Sequence, residues 1–395
     1  MVYLKLFSTD AERTACTEPQ EYVSYTEETD KVHIHYHDYS QDYLTFVAKT
    51  SGTFNFGPNE YMTTRNNISY STDDGVTWSE PATSATVTVG VGDKVLWKGE
   101  MTPTNNERIG VFSDSTAEYD VQGNIMSLLY GDNFVNQTDL SGKNYVFDSL
   151  LAGTKVINAE NLILPATTLA ESCYQSMFEN CTSLTQAPEL SATTLAQACY
   201  SGMFQGCTSL AQAPELPATT LANRCYNGMF KGCTSLAQAP ELPGITSATF
   251  CYQSMFSGCT SLTVAPMIRL SYLANNSCSY MFSDCTSLTQ TEGISATSLT
   301  SYACQCMFSG CTALTTAPEL KATTLNTYCY RYMFKGCTNL NYIKMLATNN
   351  ITATQCLFEW VDGVAASGTF VKAASMTTLP SGTSGIPNDW TVQDA

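Results

Sequence analysis

Cys207-Thr-Ser-Leu-Ala-Gln-Ala-Pro-Glu-Leu-Pro-Ala-Thr-Thr-Leu-Ala-Asn-Arg-Cys-Tyr-Asn-Gly-Met-Phe-Lys-Gly232 is one copy of a phrase that recurs from about Lys155 to Leu340, nearly half of the chain. The cysteine that opens it stands at Cys181, Cys207, Cys233, Cys259, Cys285, Cys311 and Cys337, a constant step of twenty-six. The Met-Phe pair keeps the same beat, from Met177-Phe178 to Met333-Phe334. A fixed period of this length marks a quasi-one-dimensional stack, in which one copy cannot bury its apolar face alone.

Leucine at set offsets within a period in the twenties is the signature of a leucine-rich-repeat solenoid. Within a copy, Leu210–Leu216 reads as a strand, kept short because Pro214 has no amide to donate to a ladder. Ala218-Thr-Thr-Leu221 reads as a turn. Leu221, Cys225, Met229 and Phe230 then recur at i, i+4, i+8 and i+9, which predicts a helix stopped by Gly232. The expected class is therefore an α/β solenoid, with Leu, Cys, Met, Phe and the opening Cys pointing inward in every copy.

The composition excludes several functions. Of 395 residues only 13% are charged, and the net charge is −17. Residues 1–150 hold 22 acids against 9 bases, a net of −13, and residues 151–395 hold 13 against 9, a net of −4. Such a chain is poorly suited to displacing the counterions of a nucleic acid, so no nucleic-acid partner is expected. No apolar run approaches a membrane span, and the start lacks the long apolar core of a signal peptide. That start suggests cytosolic synthesis, release inside an assembly, or a trimmed signal.

Of 17 cysteines, 16 lie between Cys173 and Cys356 and follow the repeat. Equivalent cysteines of neighbouring copies should stack in rows, where buried Cys behaves as a small apolar residue. A ladder of reduced thiols is favoured over disulfides. Zinc is disfavoured, since no C-x-x-C pair occurs and no histidine falls inside the repeats.

Before the repeats, residues 1–42 form a leader too small for its own core, with strands expected at Tyr22–Tyr25 and Val32–Tyr36. Its alternating His33, His35 and His37 would share one strand face, either as a metal site or as a polar face beside aromatic neighbours. Residues 43–122 read as an all-β sandwich-like domain. Its strands are expected at Tyr43–Ala48, Gly52–Phe56, Asn67–Ser71, Thr77–Ser79, Ala85–Val91, Asp93–Glu100, Gly110–Phe112 and Ala117–Val121, with Trp78 and Trp97 as core anchors. Ser71-Thr-Asp-Asp-Gly-Val-Thr-Trp78 resembles the Asp-box hairpin repeated in sialidases. Asp73 would cap the turn, Gly75 supply a positive φ, and Trp78 pack beneath. A single box and a lack of clustered arginines make it a structural hairpin.

Residues 123–375 are assigned to the solenoid with its capping coils, and 376–395 to a C-terminal tail. Ile125–Tyr130 suggests a helical turn, Asn144–Leu151 a degenerate half-repeat, Cys356–Trp360 the final cap, Gly368–Ala373 a last strand, and Trp390 an anchor. Two copies carry Ser277-Cys278 and Ala303-Cys304 in place of Cys-Tyr, and the A-T-T-L turn is lost around Gly244–Ala248 and Arg269–Leu273. The outward strand positions are Gln186, Gln212, Gln238, Val264, Gln290, Thr316 and Tyr342, beside a partial acid stripe of Glu189, Glu215, Glu241 and Glu319. Stacking would put them in rows on one face, suited to protein or glycan recognition, or to plain solvation.

The C-T-S-L…A-P-E-L-P-A-T-T-L…C-Y-x-x-M-F-x-G-C phrase resembles the BspA-type leucine-rich repeats of surface proteins from gut Bacteroides-group bacteria. Gly123–Asn133 and Gly368–Ala374 are similar to the same family, so the likeness covers roughly residues 43–390. It implies a right-handed solenoid with an adhesion or recognition role and carries over no catalytic residue or cofactor. Leu6–Glu12, Tyr22–Tyr25 and Val32-His33 of the leader are similar to the N-terminal segments of structural proteins from phages and prophages of those bacteria. Together they imply a non-enzymatic virion fibre or decoration protein at the virion surface, held to other virion proteins by its leader and forming a homo-oligomer, most naturally a trimer. It would bind proteins or glycoconjugates on a cell or mucosal surface, without membrane insertion. A bacterial cell-surface adhesin is the alternative, and a glycan hydrolase, suggested by the Asp-box alone, comes last for want of a singled-out carboxylate pair.

Overall fold

The computed structural model describes residues 2–7, 21–28, 31–58, 67–100, 108–376 and 379–395, with 2–7, 21–28 and 31–37 given as backbone strands. The described chain is mostly β, with few helices and several small sheets, none closed into a barrel.

β1 (Val2–Phe7), β2 (Glu21–Glu28) and β3 (Lys31–His37) form an antiparallel sheet in the order β1-β3-β2. The three histidines lie on β3, opposite Leu6, Leu4 and Val2 of β1, while their side chains, and with them the metal reading, fall outside the described residues.

Seven strands follow: β4 (Leu44–Ala48), β5 (Gly52–Gly57), β6 (Ile68–Ser71), β7 (Ala85–Val89), β8 (Lys94–Gly99), β9 (Val111–Phe112) and β10 (Tyr119–Asn124). They pair as β10-β4-β8-β6 and as β7-β5-β9. Strand alternation does the sorting: in β8, Val95 and Trp97 are fully buried between more exposed neighbours. Rings from both sheets interlock, with Phe46 against Phe54, Phe112 and Tyr119 at centroid distances of 5.3, 4.6 and 4.5 Å. Two expectations fail here. Thr77–Ser79 is no strand, because Asp73 holds Thr77 in the preceding turn. Trp78 is half-buried, its ring edge-on to Tyr43 under the Lys98 ammonium, so Trp97 alone of the two anchors the core.

α1 (Ser127–Tyr130) is a single turn whose Ser127 hydroxyl accepts from the Leu44 amide and donates to the Trp97 carbonyl. β11 (Val156–Asn158) and β12 (Leu162–Ile163) pair in parallel with β10, so the N-terminal sheet runs on into the repeats and one apolar core continues from Leu44 to Trp390.

Beyond this point, copies of the phrase lie side by side with equivalent residues in parallel register. Single-residue bridges join Gln212 to Gln238, and Thr168 to Thr194, Thr220 and Thr246 in turn. The strand part is shorter than the expected Leu210–Leu216 span because the prolines break it. Where Ala-Pro gives way to Thr291-Glu292, the Glu292 amide is free to donate to Ala265, and two-residue strands form: β13 (Val264–Ala265) beside β15 (Gln290–Thr291). β14 (Tyr272–Leu273) and β16 (Ser298–Leu299) pair in the same way where the A-T-T-L wording is lost.

The expected helix does not form, which removes the α component of the expected α/β class. From Leu221 to Gly232 the chain is a run of overlapping turns, with Arg224, Gly228 and Gly232 at φ of 57°, 61° and 74°. A left-handed residue at every fourth position forbids a right-handed helix. The amides alternate in their bonding. Those of Arg224, Tyr226, Gly228, Phe230 and Gly232 donate to the next copy, to the carbonyls of Thr249, Cys251, Gln253, Met255 and Ser257, at 2.8–3.1 Å. Those of Cys225, Asn227, Met229, Lys231 and Cys233 donate three residues back, at 3.0–3.3 Å. Arg224 and Gly228 each precede an inward pair, Cys225-Tyr226 and Met229-Phe230, and Gly232 precedes the buried Cys233. Gly206 combines a φ of 74° with a close neighbour: a Cβ there would sit 2.3 Å from the Asn180 amide oxygen of the copy before, which would have to move.

Side chains repeat the register inside. Phe178, Phe204, Phe230, Phe256, Phe282, Phe308 and Phe334 stack at 5.4–5.7 Å with planes within 12°. Trp360 closes that row, tilted on Phe334, and its indole N–H donates to the Gly385 carbonyl. β17 (Tyr342–Met345), β18 (Thr369–Lys372) and β19 (Thr391–Asp394) then form a parallel sheet at the C-terminal end, with the Trp390 indole tying the tail to Ala365.

The opening cysteines do more than fill volume. Cys207, Cys233, Cys259, Cys285, Cys311 and Cys337 each donate a thiol hydrogen to the phenylalanine carbonyl 29 residues back, at 3.0–3.1 Å. The sixteen described cysteines are free and buried. Burial pushes the Cys233 thiol up to about 12, far from the thiolate that reacts. At pH 8 the cysteines from Cys173 to Cys356 are expected to resist a disulfide-exchange reagent in the native chain and to react together in guanidinium chloride. Rapid labelling of the native thiols, followed by mass spectrometry, would disprove this packing.

Candidate binding face

The outward strand positions form a registered row. Parallel pairing links Asn158 to Gln186, Gln212 to Gln238, Val264 to Gln290, and Thr316 to Tyr342, and β17–β19 carry the row on to Thr369 and Thr391. Gln186, Gln212, Gln238 and Gln290 are exposed, and Tyr342 is half-buried. Beside them Glu189, Glu215 and Glu241 are exposed, whereas Glu319 is half-buried and paired with Lys344 at 2.7 Å.

The acid row breaks in the middle. In the two copies after Glu241 the equivalent position is Met267 and then Gly293, before Glu319 restores the acid. At this break lies a cleft of about 320 Å³ lined by Gln238, Glu241, Val264, Met267, Arg269 and Glu292. Glu292 stands where other copies carry proline, and its carboxylate accepts from the Met267 amide at 3.0 Å. Val264 is 37% exposed, large for an aliphatic side chain on this row. Apolar floor, glutamine amide, two exposed carboxylates and one exposed guanidinium converge here. Such a mixture is chemically suited to a ligand with one apolar face and several polar groups. The cleft gathers Gln238, Val264 and Glu241 from the sequence-derived face and adds Met267, Arg269 and Glu292. The signal for Met267 and Glu292 was present as a departure from the A-P-E-L wording at two successive copies, and Arg269 stands at the variable position that follows it.

The Asp-box is a closed local network. Asp73 accepts from the Thr77 amide at 2.9 Å, the Thr77 hydroxyl at 2.6 Å and the Ser71 hydroxyl at 2.7 Å, and Gly75 takes φ 85°. Three of the roughly four acceptor sites of its carboxylate serve the turn. Among the described residues no group of three or more His, Cys, Asp or Glu side chains is placed to hold a metal, and no helix is long and apolar enough to cross a membrane. No family model, curated protein or solved structure matches the chain.

Hydrogen bonds from Thr77, then from Ser71, hold the Asp73 carboxyl at about 2, below the usual carboxylate range. A depressed folded-state value contributes stability above the unfolded value, near 4, that is lost as the pH falls through the folded one. The stability difference between the parent chain and Asp73→Asn should therefore shrink between about pH 4 and pH 2. Denaturation midpoints across that range measure it, and a difference that stays constant with pH would contradict the network.

Proposed function

We propose that this chain is a non-catalytic recognition protein, a right-handed leucine-rich-repeat solenoid of the BspA type that binds its ligand in the cleft between Gln238 and Glu292. The observation that carries this reading is the local break in an otherwise uniform row. Copies from Cys181 to Leu242 repeat nearly letter for letter, which suits stacking. The copies at Met267 and Gly293 depart together, and a shaped, chemically mixed cleft lies at the break. Binding surfaces of stacked-repeat proteins arise by this kind of variation on a fixed frame. Glu241 and Glu292 are both solvent-exposed, and Glu292 is engaged by a backbone amide. A general acid needs a desolvated carboxyl, so the pair favours recognition over glycoside hydrolysis.

The leader's likeness to phage structural proteins makes a virion fibre or decoration protein the preferred setting. The three-stranded leader sheet would attach the chain to the particle and bring copies together, most naturally three, with the cleft outward toward proteins or glycoconjugates of a host or mucosal surface. The same face would serve a bacterial cell-surface adhesin.

Two experiments test this reading. Met267→Glu restores the wording of the other copies and should leave the melting temperature unchanged while abolishing binding of the purified chain to host cells. Undiminished binding would remove the cleft from the function. Immunogold labelling of gradient-purified phage particles and of intact phage-free host cells, with an antibody to the repeats, should decorate the particles. Label on the cells alone would overturn the virion setting in favour of the adhesin.

A further inference from the structure

The left-handed positions of the turn segments change character along the chain. The first is Ser172, Ala198, Arg224, Phe250 and Asn276 in successive copies, then Tyr302 and Tyr328. The second is Ser176, Gly202, Gly228 and Ser254, then Tyr280, Cys306 and Tyr332. Glycine, asparagine and serine satisfy these positions elsewhere in the same chain, so bulky rings here are a strained choice that the stacking itself does not require.

Three of the rings gather about Arg331, and the Lys335 ammonium lies 5.0 Å from the Tyr332 ring centre. Tyr302 stacks on Tyr328 at 4.6 Å and 12°. The Arg331 guanidinium lies 5.3 Å from the Tyr328 ring centre, 4.7 Å from that of Tyr332 and 5.5 Å from that of Phe358. Its polar contact in this cluster is a donated bond to the Tyr332 hydroxyl at 3.3 Å, and its buried Nε has no hydrogen-bond partner. Lys335 nearby is taken by Glu359 and Asp362 at 2.6 and 3.2 Å, whereas no carboxylate pairs with Arg331 among the described residues. A guanidinium clamped between aromatic faces with no counter-anion is preorganised for a ligand that brings one. The half-buried rings beside it offer flat apolar surface to the same ligand.

We propose that Arg331 with Tyr302, Tyr328, Tyr332 and Phe358 forms a binding site for an acidic saccharide. The guanidinium takes the carboxylate or sulfate, and a tyrosine face takes the C–H face of the sugar ring. A polynucleotide would call for several unpaired cations along its backbone, and this site has one, on a chain of net charge −17. The site is independent of the cleft at Met267.

The test is ligand-observed NMR titration of the full chain with three probes: sialyllactose as a carboxylate sugar, a sulfated heparin disaccharide, and lactose as the neutral control. At least one acidic probe should bind and lactose should not, and which one binds identifies the anion. Arg331→Gln should weaken that binding about tenfold or more, the value of a charge-assisted hydrogen-bond pair. Tyr328→Asn should weaken it as well without lowering the melting temperature, because Asn276 already holds the equivalent left-handed position. Met267→Glu should leave it unchanged. Acidic probes binding no better than lactose, or an Arg331→Gln chain binding as the parent does, would overturn the proposal. So would a glutamate-rich peptide, added as a fourth probe, binding where neither acidic sugar does, which would give the surface to a protein partner.

Discussion

Every second amide of the turn segments donates to the neighbouring copy, and each one between closes its own turn. The rest of the repeat region depends on this alternation. Half of the segment's donors have no partner within their own copy, so an isolated copy would leave them to water and leave its apolar face uncovered. The same alternation explains the strictness of the period, since one inserted residue would exchange the two kinds of amide. At the two ends the spacing does lengthen by one. The left-handed set Ser172, Ser176, Asn180 comes one position later after Tyr145, Ser149, Gly153 than the period requires, and so does Gln355, Glu359, Gly363 after Tyr328, Tyr332, Gly336. There the cross-copy bonds also reach one position further, from Phe147 to Cys173 and from Phe334 to Trp360, where Phe178 reaches Met203.

Much of this was legible because burial writes itself into spacing. Alternation in Lys94–Gly99 and Leu44–Ala48 marks strands that the structure contains within a residue or two. The inward Leu, Cys, Met and Phe of each copy are buried as their recurrence requires. The helix is misread for a definite reason. Apolar positions at i, i+4, i+8 and i+9 fit a period of 4.0 as well as one of 3.6 over so short a run, because the two drift apart by less than one residue. A second clue lay in the residues themselves. In some copies Gly, Asn or Ser stands at every fourth position, as in Ser172, Ser176 and Asn180, which is composition suited to left-handed backbone and unsuited to a helix interior.

The cleft was harder to read. Its residues were visible only as lost wording, and a lost consensus residue has no chemistry of its own until the neighbouring copies stand beside it. Met267 becomes part of a cleft because Glu241 and Glu292 line it from the neighbouring copies. Trp78 misled in the opposite way: tryptophan suggests a core, but the Asp-box turn leaves this one partly in solvent, beside Lys98 and Tyr43. Interior and exterior thus follow separate rules. Inside, like residues recur so that rings and thiols stack, while outside, the places where the letters change are the places with distinct chemistry.

The near-identity of the copies from Cys181 to Leu242 also creates an ambiguity for the folding chain. A segment that docks one whole copy out of place finds the same phenylalanine, the same thiol acceptor and the same amides, so slipped arrangements come close to the native one in energy. What lifts this near-degeneracy is the irregular material. Ser277-Cys278 and Ala303-Cys304 interrupt the tyrosine row, and Phe147 and Trp360 close the stacked rows at either end. The imperfect copies and the caps therefore act as index marks that tell each repeat which neighbour is its own.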